Sequence, residues 1–103
     1  VTPSGHIGSC SRVFAESDSL ADLFLFGRYD KVPESFVFDV SRYENLKRQI
    51  NKKNEKCLSC FAKYNCKGDC AHFKLSSGLK LDDLSPRCEA IRRITLHQLR
   101  LSL

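Results

Sequence analysis

The chain has 103 residues, six cysteines, no methionine and a formal net charge of +5. No apolar run approaches the roughly 20 residues that cross a bilayer, so we expect no membrane partner. The basic residues are spread along the chain without an aromatic–basic stacking platform, so we expect no nucleic-acid partner either.

Short extended segments are predicted in the first third of the chain. Residues 1–9 are typical of a loop, and residues 10–15 predict a short strand. Residues 23–26 form an apolar run that a glycine closes, which is typical of a buried strand. Residues 36–38 predict a further extended piece. We therefore expect a β-hairpin region over residues 5–40.

A first helix is predicted over residues 41–54. Ser41 and Glu44 have the spacing of a capping box, in which two side chains satisfy backbone N–H groups at the start of a helix. Apolar residues follow at helical spacing, with Arg and Lys between them. This helix comes directly after the predicted hairpin region.

A second helix is predicted over residues 85–100, with Ser85 as N-cap and Pro86 at the first helical position. Cys88 would then lie in the first turn, where the positive end of the helix dipole favours a thiolate. With the hairpin region, the two helices predict a small α+β domain that is rich in cysteine.

The central cysteines carry the strongest chemical signal, in a predicted loop over residues 57–70. They read Cys57-x2-Cys60-x5-Cys66-x3-Cys70. A Cys-x2-Cys pair lets two sulfurs bind one metal centre from a tight turn, and Cys88 adds a distant ligand. Thiolates are soft ligands that suit zinc and iron–sulfur clusters. The spacing supports the two about equally, and it favours disulfides less.

The cysteines also bear on the compartment. In a secreted chain six of them would suggest three disulfides, whereas in a cytosolic chain they indicate metal or redox chemistry. Residues 1–9 lack the basic start and apolar core of a signal peptide, so we expect a cytoplasmic protein. Because the chain has no methionine, even at position 1, we expect a domain or processed piece of a longer protein.

The cysteine pattern resembles that of the SPASM domain, the C-terminal auxiliary-cluster module of radical SAM enzymes that modify peptides and proteins. The resemblance begins with Gly5-x4-Cys10, continues through the central run with Gly68 in its turn, and ends at Cys88. It covers nearly the whole chain as one domain, residues 1–103. The family pattern has one further Cys upstream, outside this chain. Asp69 stands where many members have Gly.

The resemblance implies two auxiliary [4Fe-4S] clusters with interleaved ligands. The ligands of auxiliary cluster II would be Cys57, Cys60, Cys66 and Cys88. Auxiliary cluster I would take Cys10 and Cys70 and would be incomplete in this chain. Such clusters transfer electrons or bind the substrate. The implied partners are the radical SAM barrel domain of the parent protein and a peptide or protein substrate.

Catalysis by the chain alone is not expected, because it lacks the Cys-x3-Cys-x2-Cys motif that binds the catalytic cluster and S-adenosylmethionine. It also lacks a nucleophile–base constellation and a glycine-rich phosphate loop. The parent would be a radical SAM oxidoreductase. The alternative function is a structural zinc-binding interaction module.

A few other side chains near the cysteines are weaker candidates. His72 is a candidate ligand or hydrogen-bond donor, although a lone histidine is more often a surface residue. Phe61 and Tyr64 would shield a cluster or simply pack the core. The interleaved lysines would favour thiolates or form a solvated face. These lysines are Lys56, Lys63 and Lys67.

Overall fold

The structure is a computed structural model that describes residues 1–103. It has the predicted α+β class, with one three-stranded antiparallel sheet and six helices. The chain divides into two compact units, an N-terminal unit (Val1–Asn51) and a C-terminal unit (Lys52–Leu103). None of the helices has the length and apolar character needed to span a lipid bilayer.

The sheet belongs to the N-terminal unit and has the strand order β1-β2-β3. The strands are β1 (His6–Gly8), β2 (Leu25–Lys31) and β3 (Glu34–Phe38). Strands β2 and β3 form a hairpin in which Gly27 lies opposite Phe38 and Lys31 lies opposite Glu34. A two-residue turn, Val32-Pro33, joins them through a cis peptide bond. A hairpin therefore does lie in the region predicted over residues 5–40, but it pairs β2 with β3, whereas we expected it between residues 10–15 and residues 23–26.

The strand predicted over residues 10–15 is not formed. The carboxylate of Asp18 accepts hydrogen bonds from the backbone N–H groups of Phe14 (2.8 Å) and Ala15 (3.0 Å), which folds this segment into a turn. A side chain that binds nearby backbone groups competes with strand pairing. The apolar run at residues 23–26 also differs from expectation, because its first half ends the one-turn helix α1 (Ala21–Phe24) and its second half begins β2.

Helix α2 (Val40–Ile50) replaces the helix predicted over residues 41–54. Its N-cap is Asp39, whose carboxylate accepts the backbone N–H of Arg42 at 3.0 Å. Ser41 therefore lies inside the first turn, and the predicted capping box is wrong. The helix packs against α1 and β2. Together these elements enclose the apolar core of the unit, which consists of Val13, Ala21, Phe24, Leu25 and Leu46.

The C-terminal unit is entirely helical and irregular. Its helices are α3 (Glu55–Leu58), α4 (Lys63–Cys66), α5 (Ala71–Ser76) and α6 (Cys88–Ser102). The segment over 57–70 thus contains helical turns and is not the plain loop that was expected. Ala62 is the single buried hydrophobic residue of this unit, and the other buried residues are Lys74, Ser85 and Thr95. A hydrophobic core contributes little to the stability of such a unit.

Helix α6 begins at Cys88 and not at residue 85 as predicted. Ser85 lies in the preceding turn, where its hydroxyl accepts the backbone N–H of Arg87 at 3.1 Å and its carbonyl accepts the N–H of Cys88 at 3.0 Å. Ser85 is therefore not the N-cap, and Pro86 lies before the helix. Cys88 still occupies the first turn, as the sequence indicated.

Candidate metal centre

The Cys57-x2-Cys60 pair lies on a tight turn. Asn54 caps α3 by accepting the backbone N–H of Lys56, and its carbonyl accepts the N–H of Cys57 at 2.9 Å. The N–H of Cys60 then donates to the carbonyl of Cys57 at 3.3 Å. Both thiols are half-buried. The local backbone therefore presents two sulfurs from one turn, as the spacing predicted.

Cys66 and Cys70 flank a reversal of the backbone. Cys66 is the last residue of α4, and Cys70 is the N-cap residue of α5. The three residues between them have positive φ angles: Lys67 at 53°, Gly68 at 86° and Asp69 at 74°. Such angles are uncommon outside glycine and occur where the surrounding structure holds them. We call this segment, Lys67–Asp69, the left-handed turn.

Two lysines hold the left-handed turn by its carbonyl groups. The Lys53 ammonium donates to the carbonyl of Lys67 at 2.6 Å. The Lys74 ammonium donates to the carbonyl of Gly68 at 3.4 Å and to that of Leu81 at 2.6 Å. Lys74 is only 3% exposed, and a buried ammonium requires such acceptors. The turn is therefore fixed by charged donors from two other segments.

Asp69 joins the left-handed turn to the start of α6. Its side chain is 9% exposed and accepts two hydrogen bonds from Arg87, with Nε at 3.0 Å and Nη2 at 2.7 Å. The hydroxyl of Ser85 and the backbone N–H of Cys70 also donate to it. Burial alone would raise the pKa of Asp69, but these hydrogen bonds outweigh it and hold the pKa below the ordinary value. Asp69 therefore links the left-handed turn to the residues before α6 through its carboxylate, which a glycine at this position would lack.

The four thiols predicted to share one centre interact electrostatically. The pKa of the Cys88 thiol is raised, first by burial and next by the charge of Cys57. Cys60 and Cys66 raise it further, while Arg92 lowers it. Burial and like charges therefore oppose the thiolate that the helix end was expected to favour at Cys88, and the net pKa is raised.

These effects on Cys88 indicate that the thiols of Cys57, Cys60 and Cys66 lie within electrostatic range of it. None of the six cysteines forms a disulfide, and no three His, Cys, Asp or Glu side chains converge at coordination distance. The two findings are compatible, since like charges act over longer distances than a metal–ligand bond. The four thiols therefore interact electrostatically, but they do not converge at metal–ligand distances.

Cys70 and Cys10 are the remaining predicted ligands. Cys70 is exposed, and its charge acts on Arg87, the residue before Cys88. Cys10 belongs to the N-terminal unit, where it is half-buried in the segment after β1 and its carbonyl accepts the N–H of Val13 at 3.2 Å. Gly5, which begins the motif of Cys10, has a φ of 82° that glycine tolerates.

Among the weaker candidates, Tyr64 is 79% exposed, so it does not shield the thiols. Phe61 is 47% exposed and lies 5.3 Å from the guanidinium of Arg92. Lys63 donates to the carbonyl of Leu58 at 3.1 Å, which stabilises the backbone between Cys57 and Cys66. His72 is half-buried in α5.

Sequence reasoning missed the residues that support the cysteine segment: Lys53, Lys74, Arg87 and Ser85. Each contacts a residue between 6 and 18 positions away, in a different local segment. No periodicity or short motif distinguishes such a lysine or arginine from a surface residue. The one usable signal was a carboxylate, Asp69, at a position where glycine is usual in the resembling family.

Comparison with known proteins adds no identification. No protein-family model matches the chain, and neither a curated protein nor a solved structure is significantly similar to it. The interpretation of the site therefore depends on its own residues.

Proposed function

We propose that the C-terminal unit binds an auxiliary [4Fe-4S] cluster of a radical SAM enzyme that modifies a peptide or protein. Four thiols gather in a unit whose single buried hydrophobic residue is Ala62, and this observation carries the proposal. A small unit without an apolar core requires another source of stability. A metal centre that joins the central cysteine segment to α6 would supply it. The four ligands are Cys57, Cys60, Cys66 and Cys88.

The donor set fits such a group. Iron–sulfur clusters are held by Cys thiolates, usually four for each cluster. Deprotonation of Cys88 is opposed by burial and by the charge of the neighbouring cysteines. A bound cationic centre would remove that opposition, because metal binding and thiol deprotonation are coupled. A bound cationic centre would therefore stabilise the thiolate forms of these four cysteines.

The choice of iron–sulfur over zinc rests on the resemblance to SPASM domains, which includes Gly5, Cys10 and Cys70. Those residues have no part in a single four-thiolate zinc site. Cys10 and Cys70 would contribute to a second auxiliary cluster. When bound, such clusters carry single electrons or anchor the substrate. The partners we propose are a radical SAM barrel and a peptide or protein substrate, in the cytoplasm.

The decisive test is metal analysis of chain purified without oxygen in the presence of iron and sulfide. We expect a brown protein with about four irons and about four sulfides for one filled site. Cys88→Ser should lose most of this iron, because the proposal assigns Cys10 and Cys70 to the other cluster and the chain has no further cysteine to replace it. The matched control, Cys10→Ser, should retain the iron held by the C-terminal unit.

The alternative is a structural zinc module, which the same four-thiolate donor set supports. It predicts a colourless protein with one zinc per chain and no redox behaviour. Stoichiometric zinc in a chain that refuses iron would refute the cluster. Unchanged iron in Cys88→Ser would refute the ligand assignment alone.

A further inference from the structure

We propose that Arg87 and Asp69 form a fixed charge pair that tunes the reduction potential of the centre bound by the C-terminal unit. Arg87 raises the potential and Asp69 lowers it. This inference rests on the proposed function, because it requires a redox-active cluster at the four cysteines. It assigns a purpose to the aspartate that stands where glycine is usual in the resembling family.

The guanidinium of Arg87 is held in place from two directions. Asp69 binds it through the two parallel hydrogen bonds given above, a geometry that restricts rotation. The ring of Phe73 packs against it, with the guanidinium carbon 3.7 Å from the ring centroid. A surface arginine seldom has such restraints. The positive charge therefore has a defined position.

That position is close to the thiolates. Arg87 precedes Cys88 in the chain, and Asp69 accepts the backbone N–H of Cys70 at 2.7 Å. The pKa of Arg87 is raised chiefly by its hydrogen bond to Asp69 and further by the charges of Cys70 and Cys66. The pair thus lies near Cys66 and Cys70, and Arg87 is directly followed by Cys88.

Charge near an iron–sulfur cluster shifts its potential in a known direction. Reduction adds one electron, so a nearby cation stabilises the reduced state and a nearby anion destabilises it. In the intact pair the two effects largely cancel. Removing one member exposes the field of the other, so the two single substitutions must shift the potential in opposite directions.

The experiment is a double-mutant cycle on the charged pair in the reconstituted chain. Each variant is titrated with dithionite in the absence of oxygen, with redox mediators present, and its reduction is followed by electron paramagnetic resonance. Arg87→Gln should lower the midpoint potential, Asp69→Asn should raise it, and the double variant should return near the wild-type value. Arg87→Lys keeps the positive charge but loses the two parallel hydrogen bonds to Asp69, and its midpoint potential should stay near that of the wild type. Iron and sulfide are measured for every variant.

Arg93→Gln is the matched control. Arg93 also lies on α6 and also pairs with a carboxylate, Glu89 at 2.9 Å, but it is 80% exposed. Its substitution should leave the potential unchanged, since water screens exposed charges. Shifts of the same sign in Arg87→Gln and Asp69→Asn, or none in either, would overturn the inference.

The outcomes separate the inference from the proposed function. If Arg87→Gln fails to retain a cluster, Asp69→Asn and Arg87→Lys still decide the matter, because a purely structural pair would lower iron content without raising the potential in Asp69→Asn. A wild-type chain that binds zinc and no iron overturns the proposed function, and the inference with it. A wild-type cluster whose potential ignores both substitutions overturns the inference alone.

Discussion

Replacement of Lys74, the buried lysine that donates to the left-handed turn, by methionine tests whether charged donors hold the cysteine segment. The ammonium donates to the carbonyl of Leu81 at 2.6 Å and to that of Gly68 at 3.4 Å. Methionine keeps most of the apolar stem but leaves two carbonyls without this donor, at about 1–3 kcal/mol for each buried group. The longer bond counts for less, and methionine avoids the desolvation of an ammonium. The net loss should be roughly 1–3 kcal/mol.

The assay is thermal unfolding followed by circular dichroism at equal metal loading. For a domain of this size the expected loss lowers the Tm by on the order of 10 °C. The control is Lys80→Met, an exposed lysine in the same unit, which should change the Tm little. If the two variants unfold at the same temperature, the lysine–carbonyl contacts do not hold this segment.

Three further predictions concern glycine, pH and the N-terminal core. Gly68→Ala and Gly78→Ala both place a side chain at positive φ, at 86° and 80°, and should each cost about 1–2 kcal/mol. On the proposed function, only Gly68→Ala should also reduce bound iron, because its Cβ would lie 3.2 Å from the side chain of Lys53, which holds the left-handed turn; equal iron loss would contradict this. Because the folded-state pKa of Asp69 is lowered, its contribution to stability is complete above about pH 4 and is lost as the pH falls through that lower value. The difference in Tm between wild type and Asp69→Asn should therefore persist down to about pH 4 and shrink as the pH falls below it, and parallel curves would refute it. Leu25→Ala, at a residue 1% exposed, should cost about 2–5 kcal/mol in urea unfolding, against less than about 1 kcal/mol for Leu58→Ala at 63% exposed.

Local patterns in the sequence were sufficient for the fold class and for the presence of both long helices. Apolar residues at helical spacing identified the helix observed as Val40–Ile50, and an apolar face identified the one observed as Cys88–Ser102. The predicted first residue of each helix was wrong, because more than one nearby polar side chain could serve as the N-cap. Asp39 prevailed over Ser41, and Ser85 was engaged by Asp69. Cap choice depends on contacts that a local pattern does not contain.

The strands were harder to predict. Residues 10–15 look extended by composition, but the carboxylate of Asp18 binds their backbone from outside the segment. Strand β2 extends to Lys31, well beyond the apolar run over residues 23–26 from which a strand was predicted. The reason is that pairing with β3 continues through polar residues. Strand formation depends on the partner strand, which a single segment does not specify.

The candidate site was only partly accessible from sequence. Spacing identified the central cysteine run, and the resemblance to SPASM domains grouped Cys57, Cys60 and Cys66 with Cys88, the thiol on which their charges act. It gave no indication of Lys74 as a buried donor. That lysine lies in a polar stretch, and burial of a charged group follows only from the path of the distant carbonyls.

The thin core of the C-terminal unit has a consequence for how long the protein survives in a cell. Ala62 is the single buried hydrophobic residue of this unit, so on the proposed function cluster binding would contribute a large share of the free energy that disfavours opening. Proteases cleave the opened state in proportion to its population. On the proposed function, turnover of the chain would then follow the supply of iron and sulfide, and newly made copies that receive no cluster would be removed first.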